Sequence, residues 1–366
     1  MHTVELFHPD GPARCLIADE LLAQIAVHVD HAAPGRRRFV VTDSNVRPLY
    51  GADVAARLGA LLLELPAGED QKVWPTVETI VQFLLVNGAD RESVVVGLGG
   101  GVVTDLAGFA AAVTLRGLGW VAVPTTLLGM VDAAIGGKTG INLDLGKNLV
   151  GCFWPPLAVL VDPLVLRTLP ERQRRAGLAE VIKAAIIAPS SLEHLVERRL
   201  ATVARGELGG AAELIAGAVR VKADVVAIDE REQGPRQALN LGHTLGHALE
   251  AATGYQRFLH GEAVAWGLLA VLRLARDRGL LSTSEAQGWA GRLERLAPLP
   301  RIDDLGWERL RPYVYRDKKR RQGAVDWVLP RLGGVVLGVR IPEDQAAAAY
   351  EALRALPPEG PFSGLF

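Results

Sequence analysis

The feature that most constrains this chain is a change of periodicity near Leu169. Before it, short β-rich runs recur between helix-like segments: Phe39 to Asp43, Leu61 to Leu65, Ser93 to Gly101, Gly119 to Pro124 and Ala158 to Asp162. Such alternation predicts a mostly parallel sheet flanked by helices. One helix is expected over Pro75 to Val86, with Pro75 suited to a first helical position. Beyond Leu169 the pattern turns helical, with amphipathic stretches over Pro170 to Ala188, Leu208 to Asp229, Leu241 to Ala252, Gly261 to Arg278 and Ser284 to Leu296. Two late β-like runs, AVDWVLP and GVVLGV, flank Arg331-Leu332-Gly333 and read as a hairpin, and the Ala-rich segment near Ala346 as a final helix. A chain of 366 residues is long for one core. The expectation is an α/β domain over 1–169 and a mainly α-helical domain over 170–366.

Composition narrows the partners. Hydrophobic residues at 49% against charged residues at 22% describe an ordinary globular chain rather than a disordered one. Lys+Arg (40) and Asp+Glu (41) nearly cancel, so nothing draws the whole surface to nucleic acid or membrane, and any anion site must be a local cluster. Cys15 and Cys152 stand far apart in no metal-type spacing, which speaks for an intracellular protein without a disulfide framework. The opening MHTVELFHPDGPARC lacks the apolar run of a signal peptide. The most apolar stretch, around Gly119 to Gly137, is broken by Pro124 and Asp132 and is not expected to span a membrane. A cytoplasmic enzyme is the expectation.

Two segments suggest anion binding. Gly97-Leu98-Gly99-Gly100-Gly101 ends a β run and opens a helical one, where backbone N–H groups and a helix N-terminus favour a pyrophosphate. Val102 occupies the sixth position of a G-x-G-x-x-G reading, so the usual dinucleotide fingerprint fails, and a tight turn without ligand stands equally open. Further on, VPTTLLGMVDAAIGGKTGINLDLGKNLVG sets Asp132, Lys138, Lys147 and Asn148 in Gly-rich, largely apolar sequence. Buried lysines are costly unless paired or bound to an anion, which points to a negatively charged ligand; the plainer reading is two surface lysines on a long loop.

Three patches offer metal-ligand chemistry. AGLAEVIKAA places Glu180 and Lys183 three apart on one helix face, NLGHTLGHALE places His243 and His247 one turn apart, and FLHGEAVAWG adds His260 and Glu262. Each alone reads as well as a buried ion pair or core histidines; together they suit a catalytic zinc site. Upstream, VKADVVAIDEREQGPRQALNLGH carries Lys222, Glu232, Arg236 and Asn240, and YRDKKRR carries Lys318 and Lys319. Converging Arg and Lys would neutralise a small phosphorylated substrate, although a basic run alone is most simply a solvated turn. No aromatic platform or overall basicity supports a nucleic-acid patch.

These pieces resemble the sugar-phosphate cyclases. GGGVVTDLAGFAAA is similar to their glycine turn, with Thr104 where members often carry Gly, and more distantly to that of metal-dependent polyol dehydrogenases. The GGKT and GKN pieces resemble the substrate loop of the 3-dehydroquinate synthase family specifically. The resemblance covers about Phe39 to Gly338 and leaves the ends without signal.

It implies a Rossmann-like α/β domain, a helical domain, and an active site in the cleft between them. Glu180, His243 and His260 would hold Zn2+ (or Co2+). NAD would be held by Asp43, Asn45, Glu69, Lys72, Gly100, Gly101, Val102, Asp105, Thr125, Thr126, Lys147 and Thr168. Arg116, Asp132, Lys138, Asn148, Lys183, Lys222, Arg236, Asn240 and Lys318 would contact substrate, with Lys138, Glu232 and His247 catalytic. The implied substrate is 3-deoxy-D-arabino-heptulosonate 7-phosphate, and Arg116, in VTLRG, matches an arginine supplied to a neighbouring subunit, which implies a homodimer. The rivals are an aminodehydroquinate synthase, a polyol dehydrogenase, disfavoured because that class typically has Asp where this chain has Glu180, and a non-catalytic NAD-binding regulator, disfavoured because no ligand is missing.

Overall fold

The computed structural model describes residues 1–8, 11–189, 191–315 and 325–366. In chain order the strands and helices of the first part are β1 (His2–Leu6), β2 (Ala13–Ile17), α1 (Ile25–Ala32), β3 (Arg38–Asp43), α2 (Ala52–Leu58), β4 (Leu61–Leu65), α3 (Trp74–Val86), β5 (Val94–Gly99), α4 (Gly101–Val113), β6 (Gly119–Pro124), β7 (Lys138–Leu143), β8 (Gly146–Phe153) and β9 (Ala158–Val161). There follow α5 (Glu171–Ile187), α6 (Ser191–Ala204), α7 (Ala211–Ile228), α8 (His243–Ala252), α9 (His260–Asp277), α10 (Thr283–Glu294), α11 (Trp307–Val314), β10 (Asp326–Arg331), β11 (Gly334–Arg340) and α12 (Glu343–Arg354). They form two compact units, Met1–Leu169 with Leu208–Ala227, and Pro170–Glu207 with Ile228–Phe366. The first thus includes nearly all of α7 as well as the stretch expected from sequence.

The first unit is built on a seven-stranded sheet in the order β1-β2-β9-β6-β5-β3-β4. Only β1 pairs antiparallel, with β2; every other pairing is parallel. Central β5, VVVGLG, is buried at every position, as a parallel strand covered on both faces requires. The expected strand over Ser93 to Gly101 ends at Gly99: Gly100 takes an extended N-cap conformation and Gly101 already belongs to α4. Edge strand β1 and its neighbour β2 were not anticipated. They alternate buried and exposed positions, a pattern five residues long that leaves little trace. The lysine-bearing segment, read as a loop, is an antiparallel hairpin of β7 and β8 pairing Lys138 with Phe153 and Thr139 with Cys152.

In the second unit α9 carries an almost unbroken apolar run, Gly261 to Leu272, with Trp266 fully buried, so it packs on several sides. The expected hairpin forms as β10 and β11. Helices α6 and α11 fall where no helix was expected. Among the described residues no helix is long and apolar enough to cross a membrane.

Candidate active site

The first unit gathers its polar side chains at the ends of β5 and β6. Gly99 must be glycine because a Cβ there would stand 2.6 Å from the Val103 side chain, so α4 can leave the sheet edge directly. Thr125, the first residue after β6, donates its N–H to the Gly99 carbonyl at 2.9 Å, locking the two strand ends together. Thr126 accepts the Gly129 N–H through Oγ1 at 3.0 Å and so starts the turn over Gly129–Ala133 that carries Asp132. Gly100, Gly101 and Val102 form the first turn of α4, where no side chain caps the N–H groups. This is a surface made for an anion.

Around that turn lies a polar network. Lys72 is 5% exposed, pairs with Asp105, and donates to Asn148 Oδ1 at 2.6 Å. Burial pushes the Asp105 carboxyl up against the opposing pull of Lys72. Asn148, with φ 57, takes the left-handed conformation that asparagine tolerates, and its N–H meets Asn142 Oδ1 at 2.9 Å. Asn142 in turn donates to Glu69 Oε1 at 2.8 Å, and Lys147 Nζ lies 3.9 Å from the same oxygen. Glu69, Lys72, Asp105 and Lys147 were expected at the dinucleotide and Asn148 at the substrate; Asn142 was expected at neither, although its side chain ties the β7–β8 hairpin to the Glu69 turn.

Two further expected positions serve turns. Asp43 Oδ1 accepts the N–H groups of Asn45 and Val46 at 2.9 and 3.0 Å, and the Asn45 side chain is exposed. Thr168 Oγ1 lies 2.7 Å from the Tyr50 hydroxyl, a partner that sequence gave no reason to choose. Lys222 comes to this unit on α7, which belongs to it, while Lys138 starts β7 with its side chain exposed. Arg116 is exposed and follows Leu115 in a turn where both have positive φ, 50 and 69. For bulky side chains that is a strained pair.

The second unit brings the three metal-type patches together. Helix α5 presents Glu180 and Lys183, both 3% exposed and paired with each other. His243 and His260 are the first residues of α8 and α9, and their Nε2 atoms lie 3.8 and 3.5 Å from Glu180 Oε1. One ligand atom from each of the three falls within 4.8 Å of the others. Gly261 makes this possible: a Cβ there would sit 1.8 Å from the Ala176 carbonyl oxygen, so α9 meets α5 at backbone contact just beside His260.

The ring nitrogens are sorted. Nδ1 of His243 faces the Leu241 carbonyl at 3.1 Å, and Nδ1 of His260 faces Glu250 Oε2 at 3.1 Å. Both partners only accept, so both Nδ1 atoms carry hydrogen and Nε2 is the nitrogen that each ring turns toward the Glu180 carboxylate. The Glu180 oxygens are buried without a hydrogen bond of good geometry. A buried carboxylate and two imidazole nitrogens converge beside the Lys183 ammonium, and a set of one carboxylate and two imidazoles is one that zinc takes.

The electrostatics treat the two histidines differently. Burial alone would raise Glu180, but Lys183 and the two histidines outweigh it and hold the carboxyl well below its usual range. Burial and Lys183 keep His243 well below the ordinary histidine value. For His260 the carboxylates of Glu180 and Glu250 overcome burial and raise it to about 10.

His247 lies exposed one turn along α8, its ring 5.1 Å from that of His243 and 5.8 Å from that of His260. Asn240 donates to Glu232 Oε1 at 2.6 Å, and Arg236, 2% exposed, donates to the Glu230 carbonyl. Asp229 organises that loop by accepting the N–H groups of Gln233, Gly234 and Arg236 at 3.0, 2.7 and 3.1 Å. Glu262 is occupied elsewhere, with Arg172 at 2.6 and 2.9 Å and the Leu259 N–H at 2.8 Å. Lys318 and Lys319 lie outside the described residues. Sequence reading passed over Glu250, although it stands seven residues after His243 and shares its helix face.

A parallel sheet with a glycine turn, followed by a helical unit bearing one carboxylate and two histidines, defines the class: this is a sugar-phosphate cyclase fold. Residues 62–176 match the model of the 3-dehydroquinate synthase N-terminal region and residues 177–320 that of its C-terminal region. The chain belongs to the 3-dehydroquinate synthase family. It is 47% identical over 352 residues to the 3-dehydroquinate synthase of Solibacter usitatus, covering 94% of this chain and 98% of that one. The synthase of Koribacter versatilis is 42% identical, covering 93% and 95%. Among solved structures, the 2-epi-5-epi-valiolone synthase of Streptomyces hygroscopicus, with NAD+ and Zn2+ bound, superposes with TM-score 0.84 at 32% identity, covering 95% of this chain and 98% of that one. A 2-deoxy-scyllo-inosose synthase superposes with TM-score 0.82 at 23% identity, covering 96% and 99%, and shares the fold.

Proposed function

We propose that this protein is a 3-dehydroquinate synthase. It converts 3-deoxy-D-arabino-heptulosonate 7-phosphate to 3-dehydroquinate and phosphate by transient oxidation, phosphate elimination, reduction and intramolecular aldol closure. The observation that carries this reading is the convergence of Glu180, His243 and His260 in a chain matched to the family over residues 62–320. Held by those three residues, Zn2+ or Co2+ supplies Lewis acidity, and NAD at the glycine turn supplies a reversible hydride acceptor.

The chain's own residues do the rest. Gly100, Gly101 and Val102 offer N–H groups to the dinucleotide phosphates, with Asp43, Asn45, Glu69, Lys72, Asp105, Thr125, Thr126, Lys147 and Thr168 shaping the remainder of that site. Lys138, Lys183, Lys222, Arg236 and Asn240 bind and orient the anionic substrate, with Asp132 and Asn148 beside them. Lys318, outside the described residues, joins that set in this reading. His247, exposed beside the two ligand histidines, carries protons, and Glu232, steered by Asn240, takes part in catalysis. Arg116 serves the phosphate site of a second copy, so the active form is a homodimer. The protein works in the cytoplasm.

Phosphate release tests the reading. NAD far below the substrate concentration supports many turnovers, with one phosphate freed per substrate and no accumulation of NADH absorbance. Chelation abolishes the release, and Zn2+ or Co2+ restores it. NADH rising in step with substrate consumed would make the protein a dehydrogenase and remove the roles given to Lys222 and Arg236.

A further inference from the structure

We propose that Glu250 is a positioning residue of the metal centre, fixing the tautomer and ring orientation of His260 so that Nε2 faces the metal position. The inference rests on the reading of Glu180, His243 and His260 as ligands and deepens it.

Glu250 lies in the second half of α8, seven residues after His243, and is 2% exposed. A carboxylate in that setting is costly unless it has a strong partner. Its Oε2 lies 3.1 Å from His260 Nδ1. The other imidazole, His243, is oriented by a neutral main-chain carbonyl, which needs no particular side chain. The two imidazoles are therefore held by different means, and only that of His260 depends on a residue that mutation can remove. A carboxylate behind an imidazole also makes the ring a stronger donor at its far nitrogen. Glu250 therefore acts on the metal through His260 and does not itself bind it.

An arrangement of His247, Glu250 and His260 also brings three potential ligand atoms within 4.8 Å of one another. It is the competing reading, in which Glu250 is itself a ligand. Geometry favours the first reading: His260 Nε2 already faces Glu180 Oε1 at 3.5 Å, which leaves Nδ1 to donate to Glu250.

The test measures metal affinity rather than turnover. Metal-loaded wild type, Glu250→Gln and Glu250→Ala are each competed against a chromophoric chelator, with Glu180→Gln as reference and melting of the metal-free forms as a control. Loss of the partner raises the metal Kd by about 10-fold to 100-fold, least in Glu250→Gln, whose amide oxygen can still accept. The visible spectrum of the Co2+ form changes in Glu250→Ala, while the metal-free Glu250→Gln protein melts within a few degrees of wild type.

An unchanged Kd in Glu250→Ala overturns the inference. So does binding of two metal ions per chain by wild type but one by Glu250→Gln, since Glu250 would then be a ligand. Should Glu250→Ala fail to fold, 15N NMR of the wild-type holoprotein decides alone, by whether His260 carries its hydrogen on Nδ1 or on Nε2. If Glu180→Gln also binds metal like wild type, the ligand reading itself fails. If only the Glu250 variants do so, this inference alone falls.

Discussion

Lys222 places its ammonium 2.6 Å from both the main-chain carbonyl and Oδ1 of Asp132, a residue 90 positions earlier. The two were expected at the substrate from unrelated motifs, and the fold pairs them. Helix α7 interrupts the helical half of the sequence and belongs to the sheet-bearing unit, which brings Lys222 to the turn after β6. Lys222 is 9% exposed, so its charge is held where an anion would meet it with little competition from water.

Removing either member is expected to cost more than a surface pair would. Lys222→Met should lower kcat/KM by at least about 100-fold and stability by about 1–2 kcal/mol, the range of a hydrogen bond to a charged group discounted for the partly exposed Asp132. Urea unfolding of Lys222→Met, Asp132→Asn and the double variant should give a coupling energy of about 0.5–3 kcal/mol. Strict additivity would show that the contact does not form in solution.

Gly261 and Gly291 form a matched pair. An added Cβ at Gly261 meets the Ala176 carbonyl oxygen at 1.8 Å, whereas at Gly291, on α10, it meets nothing within 4 Å. Gly261→Ala should therefore destabilise by about 1–3 kcal/mol through overpacking, and weaken metal binding because His260 moves with its helix. Gly291→Ala should stabilise by about 0.5–1 kcal/mol through helix propensity. Thermal melts and metal content of the two variants check both signs.

Arg116 is held in a turn with two consecutive positive-φ residues, Leu115 and Arg116, and conformations of that kind cost of order 1–3 kcal/mol each. If the proposed homodimer holds, Arg116→Ala and Lys222→Ala proteins should each be nearly inactive. Mixing them with subunit exchange should restore part of the phosphate release, because one of the two sites in the mixed dimer then has both wild-type residues. No recovery after demonstrated exchange would place Arg116 in its own chain's site.

The cysteines should behave differently. Cys15 is fully buried in β2, and burial pushes its thiol well above the ordinary range, whereas Cys152 on β8 is only half-buried, beside the Thr139 hydroxyl at 3.4 Å. A thiol reagent at neutral pH should titrate one equivalent in the native protein and two in denaturant, with peptide mapping assigning the first to Cys152.

By itself the sequence determined what rests on local pattern. The apolar run of β5, the amphipathic spacing of α5, α8 and α9, and the donor types Glu180, His243 and His260 were all legible, because burial and metal chemistry each demand particular residues at particular intervals. Tertiary structure alone decided what depends on separation in space. Strand β2 is held by pairing with β9, a segment far along the chain, and the edge strand β1 by pairing with β2, rather than by their own short alternation. The lysine segment became a hairpin because β7 and β8 hydrogen-bond each other, which its many glycines concealed. Glu250 and Asn142 drew no reading from the sequence, and only packing sets the one against His260 and the other against Glu69. Helical spacing says which face a side chain occupies, but only the packing of that face says what stands opposite, and there the free energy of a buried charge is settled.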